Sequence, residues 1–320
     1  MFNKIGRYAI QLSVDNNPWT NVYGLARTIL AIAMMMTLAF NDVSIFFRPI
    51  SGRETFPLCE GAVSLFCTVP SDLTYLNVLR WVCVLVLLIV ASGWRPRITA
   101  IFHLWIAYSM QVSAVTLDGG EQVNLVMTLL LLPIALTDSR KWHWTKVENN
   151  SDALPNNTIN QRIIAIVSFH AIRFQIAILY LHSFIAKLFE ETWIDGTAVY
   201  YFLQDPMVGL PPFLWNIVEP ILTSSAVVIP TWGTLILQMF LFGAFFAPKR
   251  HWKYYLMAAM FLHELIAVML GLISFSMSMS AALILYLIPF ESNLDLLKKL
   301  KFAFIKKRDA SLTELKQVSN

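Results

Sequence analysis

Apolar residues fall into eight long blocks separated by short polar stretches: 22–41, 77–94, 98–117, 122–137, 163–188, 231–247, 254–275 and 277–291. A helix needs about 20 mostly apolar residues to cross about 30 Å of hydrocarbon. Several blocks are shorter, and the fourth can tilt or lie inside a bundle. Backbone groups without water must bond within their own segment, so the blocks predict helices. The residue-by-residue alternation of a membrane β-barrel is absent. A further apolar stretch, 213–229, is interrupted by Glu219 and Pro220 and reads as an interfacial or re-entrant helix. The expected fold is all-α: a polytopic membrane bundle of about eight transmembrane helices in one domain, 1–291, with a basic tail, 292–320.

Composition strengthens that picture. Of 320 residues, 57% are hydrophobic and 14% charged, and mean hydropathy is +0.60. Soluble domains carry about 25% charge. Disorder and a disulfide-dense mini-protein are excluded on the same ground. Short loops rich in Lys and Arg stay cytoplasmic. Alternate loops hold 18 of the 24 basic residues, and only Arg48, Arg53 and Arg80 fall on the opposite side. Both termini are therefore expected in the cytoplasm. Residues 1–20 are polar and lack the short apolar core of a cleavable signal, so the first block is expected to remain in the protein. In the tail, Leu294, Leu297, Leu300, Phe304 and Ile305 lie near one helical face flanked by lysines, a pattern that suits anionic membrane lipids. No motif points to nucleic acid.

Cys59 and Cys67 share the 42–76 loop, outside by the charge rule; Cys83 lies in the second block. Two thiols eight apart in an oxidising compartment can close a structural disulfide, remain free, or act as a redox pair. No Cys-x-x-Cys is present to lower a thiol pKa. A Walker loop and Gly-x-Ser-x-Gly are also absent. His263-Glu264 resembles the start of a zinc-protease helix, but Ala267 stands where the second ligand would be.

Ionisable residues within the blocks carry most of the remaining signal, because they are costly in hydrocarbon. In the fifth block His170 and Arg173 share a side, with Lys187 near the Arg173 direction two heptads on; Gln175 and His182 share a roughly opposite side. Such a helix is expected to lie centrally, with protein or water on both sides. Lys187 is either a snorkelling anchor paired with Glu190 or Glu191, or a partly desolvated base. Asp118 and Glu121 flank two glycines at the outer mouth and read either as a capped turn or as site residues. Arg27 and the His263-Glu264 pair are buried candidates for an ion pair or for substrate or lipid binding.

Several segments together resemble the sporulation-delaying protein B (SdpB) family: DNNPWTNVYGLARTIL at 15–30, W-R-P-R at 94–97, DGGEQ at 118–122, LTDSRKWHW at 136–144 and the run 173–211. That family is grouped with HTTM membrane proteins, distantly similar to vitamin K-dependent γ-carboxylases through the lysine followed by W-x-(D/E)-G. The resemblance implies a protein of the bacterial cell membrane that helps mature a secreted antimicrobial peptide toxin, acting with a small SdpA-like partner on a precursor. The carboxylase likeness implies a base role for Lys187 on a reduced quinone-like lipid. It also sets Glu121 where those enzymes carry a catalytic histidine. Candidate catalytic residues are thus Lys187, Glu121 and His182; candidate substrate or lipid contacts are Arg27, Asp118, His170, Arg173, Gln175, His263 and Glu264. Two readings follow: a non-catalytic maturation factor, or a quinone-using enzyme. A transporter is less favoured, since no clear inverted repeat is visible.

Overall fold

The computed structural model describes residues 2–52, 54–59, 63–145, 154–206 and 209–292, which are helical without a β-strand. Among these residues the α-helices are α1 (Phe2–Asp15), α2 (Asn21–Phe40), α3 (Val43–Phe46), α4 (Leu73–Ser92), α5 (Pro96–Ser113), α6 (Gly119–Thr137), α7 (Asn156–Lys187), α8 (Glu191–Ile194), α9 (Ala198–Leu203), α10 (Pro212–Leu222), α11 (Val228–Gly243), α12 (Trp252–Leu270) and α13 (Ile273–Leu287). The basic tail segment 293–308 lies outside the described residues.

Six stretches are long and apolar enough to cross a membrane: α2, α4, α6, α7, Ser225–Gly243 and Lys249–Leu270. The protein is therefore a multi-pass membrane protein on its helices. The interrupted stretch after residue 211 folds as α10, followed by a 3-10 turn, Ser225–Val227, that leads into α11. Helix α1 went unforeseen among the polar first residues; its Tyr8, Ile10 and Val14 are exposed. It is tied to α7 by the Arg162 guanidinium, which donates to the Ser13 carbonyl at 3.1 Å.

Local chemistry sets the helix ends. Asp72 caps α4 by accepting from Thr74 N–H at 2.8 Å, as N-cap carboxylates do. Gly93 ends α4 in the left-handed region at φ +87, and Pro96 occupies the first turn of α5. Gly271, at φ +69, ends α12 within the block expected to run to residue 275.

The centre of the bundle differs from expectation. Helix α13, not α7, is enclosed: 11 of its 15 residues are buried, and it packs on α2, α6, α7 and α12. Its run of serines and alanines, Ser276 to Ala282, lets neighbouring backbones approach closely. At about 22 Å it is short for a full crossing. Helix α7 is 32 residues, about 48 Å, and packs on α1, α6, α11 and α13 while Val167 and Phe174 stay exposed. Burial on one side suffices for its apolar residues, and its polar sides meet neighbouring helices or a cavity.

A second cluster joins the other half of α2 to α3, α4, α5 and the outer loop. There Cys59 and Cys67 form a disulfide, Cα atoms 5.8 Å apart. Phe66 is fully buried with its ring 4.7 Å from Phe47. Arg80, which the charge pattern placed among outer basic residues, donates to the Leu38 carbonyl at 2.7 Å and to the Asn41 carbonyl. It thereby satisfies the open C-terminal end of α2.

Candidate functional site

Beside α13 the helices part around a cavity of about 1060 Å³. That is slightly above the roughly 300–1,000 Å³ typical of ligand sites. Its walls are α7, α11, α12 and α13, the first turn of α6 contributes Gln122, and α8 to α10 close over the mouth. The walls are mostly apolar. The polar exceptions come from different helices: Gln122, Gln175, Tyr180, His182, Ser183, Lys187, Thr234, Gln238 and His263.

Lys187 ends α7 at the mouth and is half-buried. Its ammonium donates to Ser183 Oγ at 2.8 Å and to the Ser183 carbonyl at 3.3 Å, and lies 5.2 Å from the Trp193 ring centroid. These partners stand where the anchor reading of Lys187 had placed Glu190 or Glu191. Arg173 also departs from expectation. Fourteen residues separate it from Lys187, about 21 Å of helix, too far for one cation to act strongly on the other. Its guanidinium stacks on Trp252, 4.1 Å from the ring centroid, and Nε donates to the Tyr286 carbonyl at 3.2 Å. His170 is on the same side, edge-on to Phe290 at 6.2 Å, and neither residue lines the cavity.

Gln175 and His182 do line it. Deeper in, Tyr180 Oη lies 3.1 Å from His263 Nε2, both residues buried. His263 Nδ1 and Gln238 Oε1 are buried without a hydrogen-bond partner. Neighbouring Glu264 points elsewhere: its carboxylate accepts from Ser276 Oγ at 3.4 Å, away from the cavity.

Asp118 and Glu121 form a capping box at the start of α6. Asp118 Oδ1 accepts from Gly120 N–H at 2.5 Å, and Glu121 Oε2 accepts from Asp118 N–H at 3.1 Å. Glu121 Oε1 accepts from Thr37 Oγ1 at 2.6 Å. The carboxylate is thus occupied on both oxygens, outside the cavity lining. Gly120 is required there because a Cβ would approach the Phe275 backbone to 2.7 Å.

Arg27 belongs to a separate buried cluster at the other end of the bundle. Its Nη2 donates to Thr99 Oγ1 at 2.5 Å and its Nη1 lies 3.3 Å from His143 Nδ1. An arginine can only donate, so Nδ1 accepts and the imidazole proton is on Nε2. That nitrogen lies 3.3 Å from Thr28 Oγ1, which donates to the Ala91 carbonyl at 2.7 Å. Burial, then the Arg27 and Arg140 guanidiniums, push the His143 pKa down to about 2. The two tryptophan-rich motifs meet here: Trp94 pairs with Trp142 in an antiparallel bridge, and Arg95 N–H donates to the Lys141 carbonyl at 2.7 Å. Buried Asp138 holds Arg140 through a pair of hydrogen bonds at 2.7 and 2.8 Å. These motifs are a structural lock.

Residue patterns alone did not single out Gln122, Gln238 or Tyr180. Gln238 offered a signal as a single amide in the apolar run 235–243. The Tyr180–His263 contact, 83 residues apart in the chain, offered none.

Two proteins of Bacillus subtilis strain 168 are similar to this chain. Uncharacterized protein YitO is 49% identical over 281 residues, 88% of this chain and 89% of that one. Sporulation-delaying protein SdpB is 35% identical over 282 residues, 88% of this chain and 85% of that one. No protein-family model and no solved structure matches.

Proposed function

The chain belongs to the family of sporulation-delaying protein SdpB, and from that premise we propose that it acts in maturing a secreted antimicrobial peptide of the sporulation-delaying type. It works in the bacterial cell membrane with a small SdpA-like protein on a toxin precursor, as a maturation factor that holds the precursor for processing. In this reading residues 1–291 are an HTTM-like transmembrane domain, in which α5 and α13 join the six long apolar helices, the 15-residue α13 crossing only with the help of the segments that flank it, and residues 292–320 are a basic cytoplasmic tail. The Lys and Arg distribution puts both termini in the cytoplasm and the mouth of the cavity outside. The observation that carries the reading is 35% identity sustained over 88% of the chain. Deleting the gene and assaying mature peptide in the medium tests it: release should stop and return with the wild-type copy. Undiminished release would refute it.

A second reading, a carboxylase-like membrane enzyme, draws on Lys187 at the mouth of an apolar cavity of about 1060 Å³. Those walls fit a quinone-like lipid, and such a group would supply redox chemistry. Lys187, turned to neutral Ser183 Oγ, would then hold or release a proton at Nζ. Glu121 takes no part, because its oxygens cap α6 and bind Thr37. Arginine keeps the charge but does not give up a proton near neutral pH. Release at the wild-type rate by both Lys187→Arg and Lys187→Met removes the second reading. Failure of both in folded, normally expressed protein favours it.

A further inference from the structure

We propose that the cavity binds an extended stretch of apolar polypeptide whose backbone groups meet the side chains of Gln122, Gln175 and Gln238. This deepens the maturation reading and rests on it for the peptide's source.

The cavity is neither a plain hydrocarbon slot nor a charged one. Three glutamines reach it from α6, α7 and α11. Among the described residues none of the three side chains has a hydrogen-bond partner. Two polar residues of the lining are more than nine-tenths buried and carry an unpartnered atom: Gln238, 8% exposed, at Oε1, and His263, 4% exposed, at Nδ1. Buried polar groups are almost always paired, so such a set requires an explanation.

An acyl chain brings no donor or acceptor and would leave all of them unpaired. A simple ion would need opposing charge, whereas amides are neutral. An extended peptide presents one N–H and one C=O per residue, and neither finds water in hydrocarbon. A glutamine side chain supplies both complements. The intervening wall, with Ile178, Leu262, Ile266 and Met269, suits apolar side chains. Gln175 and Lys187 are 12 residues apart on α7, about 18 Å along the axis. At roughly 3.3 Å per residue, that depth takes about five extended residues.

The test uses the full chain in lipid nanodiscs and two dansylated peptides of alternating leucine and valine. One is unmodified; in the other, alternate backbone nitrogens are methylated, which keeps the apolar surface and removes N–H donors. The unmodified peptide should bind about tenfold tighter, and Gln175→Leu or Gln238→Leu should narrow that margin by weakening the unmodified peptide more than the methylated one, which keeps its carbonyl acceptors. Gln238→Leu should also raise the melting temperature of the empty protein, since it removes a buried unpaired amide. Gln122→Leu, at the exposed mouth, serves if a deeper variant fails to fold. Equal affinity for the two peptides, or unchanged preference in all folded variants, overturns the proposal. So does tighter binding of a dansylated fatty acid that is indifferent to the glutamines, which would assign the cavity to lipid. Donor-dependent binding with undiminished toxin release in the deletion strain would remove the pathway and leave the site. Loss of release with no donor-dependent binding would do the reverse.

Discussion

Replacing Gly93 by alanine tests the lock between α4, α5 and the segment after α6. Gly93 has φ +87, a region that costs an L-residue about 1–2 kcal/mol. A Cβ there would also run into the imidazole of His143 and come within 2.9 Å of Trp144 Nε1. The ring has little freedom to retreat. It is fully buried, its two nitrogens are engaged by Arg27 and Thr28, and Gly24 packs so closely on it that a Cβ there would come within 3.0 Å of the ring. Displacing it forfeits one or two buried hydrogen bonds at about 0.5–1.5 kcal/mol each. The expected loss is about 2–4 kcal/mol, and a fall in melting temperature on the order of 5–10 °C. The assay is thermal unfolding of purified protein in detergent, run as a cycle with His143→Ala. Without the imidazole the backbone cost and the close approach to Trp144 remain, so the second substitution should recover about half of the penalty. If Gly93→Ala costs the same with and without His143, or costs nothing, the packing argument is wrong.

Replacing Cys59 and Cys67 together by serine should lower stability by about 2–3 kcal/mol on the loop-entropy account, read as a lower melting temperature, and reduction should reproduce the shift in the wild type. Stability should also fall on acidification, partly through His143. Its folded-state pKa is depressed from 6.5 to about 2, so its contribution is complete above about pH 6.5 and is lost as pH falls toward 2. Between pH 7.5 and 5 the wild type should lose about 2 kcal/mol more than folded His143→Asn, and an equal loss in both would refute the assignment. Lys141→Cys in a Cys83→Ser background should resist a membrane-impermeant maleimide in intact cells and react after permeabilisation; labelling of intact cells would reverse the orientation.

Much of this architecture was readable from residue order alone. Apolar block length identifies the helices, because hydrocarbon thickness imposes a length and a hydrogen-bonding pattern on any segment that crosses it. The Asp-Gly-Gly-Glu cap is local and was one of the two readings of that turn, whereas the glycine ends of α4 and α12 were passed over because the apolar blocks run through Gly93 and Gly271. Cys59 and Cys67 are likewise near neighbours, and their pairing was among the open alternatives. Helix α1 escaped because its apolar positions are too few for a block.

Tertiary structure decided everything that depends on distance across the bundle. The short, small-residue helix α13 took the enclosed place expected of α7, since packing between helices rather than block length decides burial. Arg173 and Lys187 share a helical direction, but 14 residues of rise separate them, and each found aromatic or hydroxyl partners nearby. Arg27 turned from candidate ligand contact into the donor that sets the His143 tautomer. The cavity itself is a shape left between five helices, and its glutamines come from positions 122, 175 and 238, whose proximity no local pattern encodes.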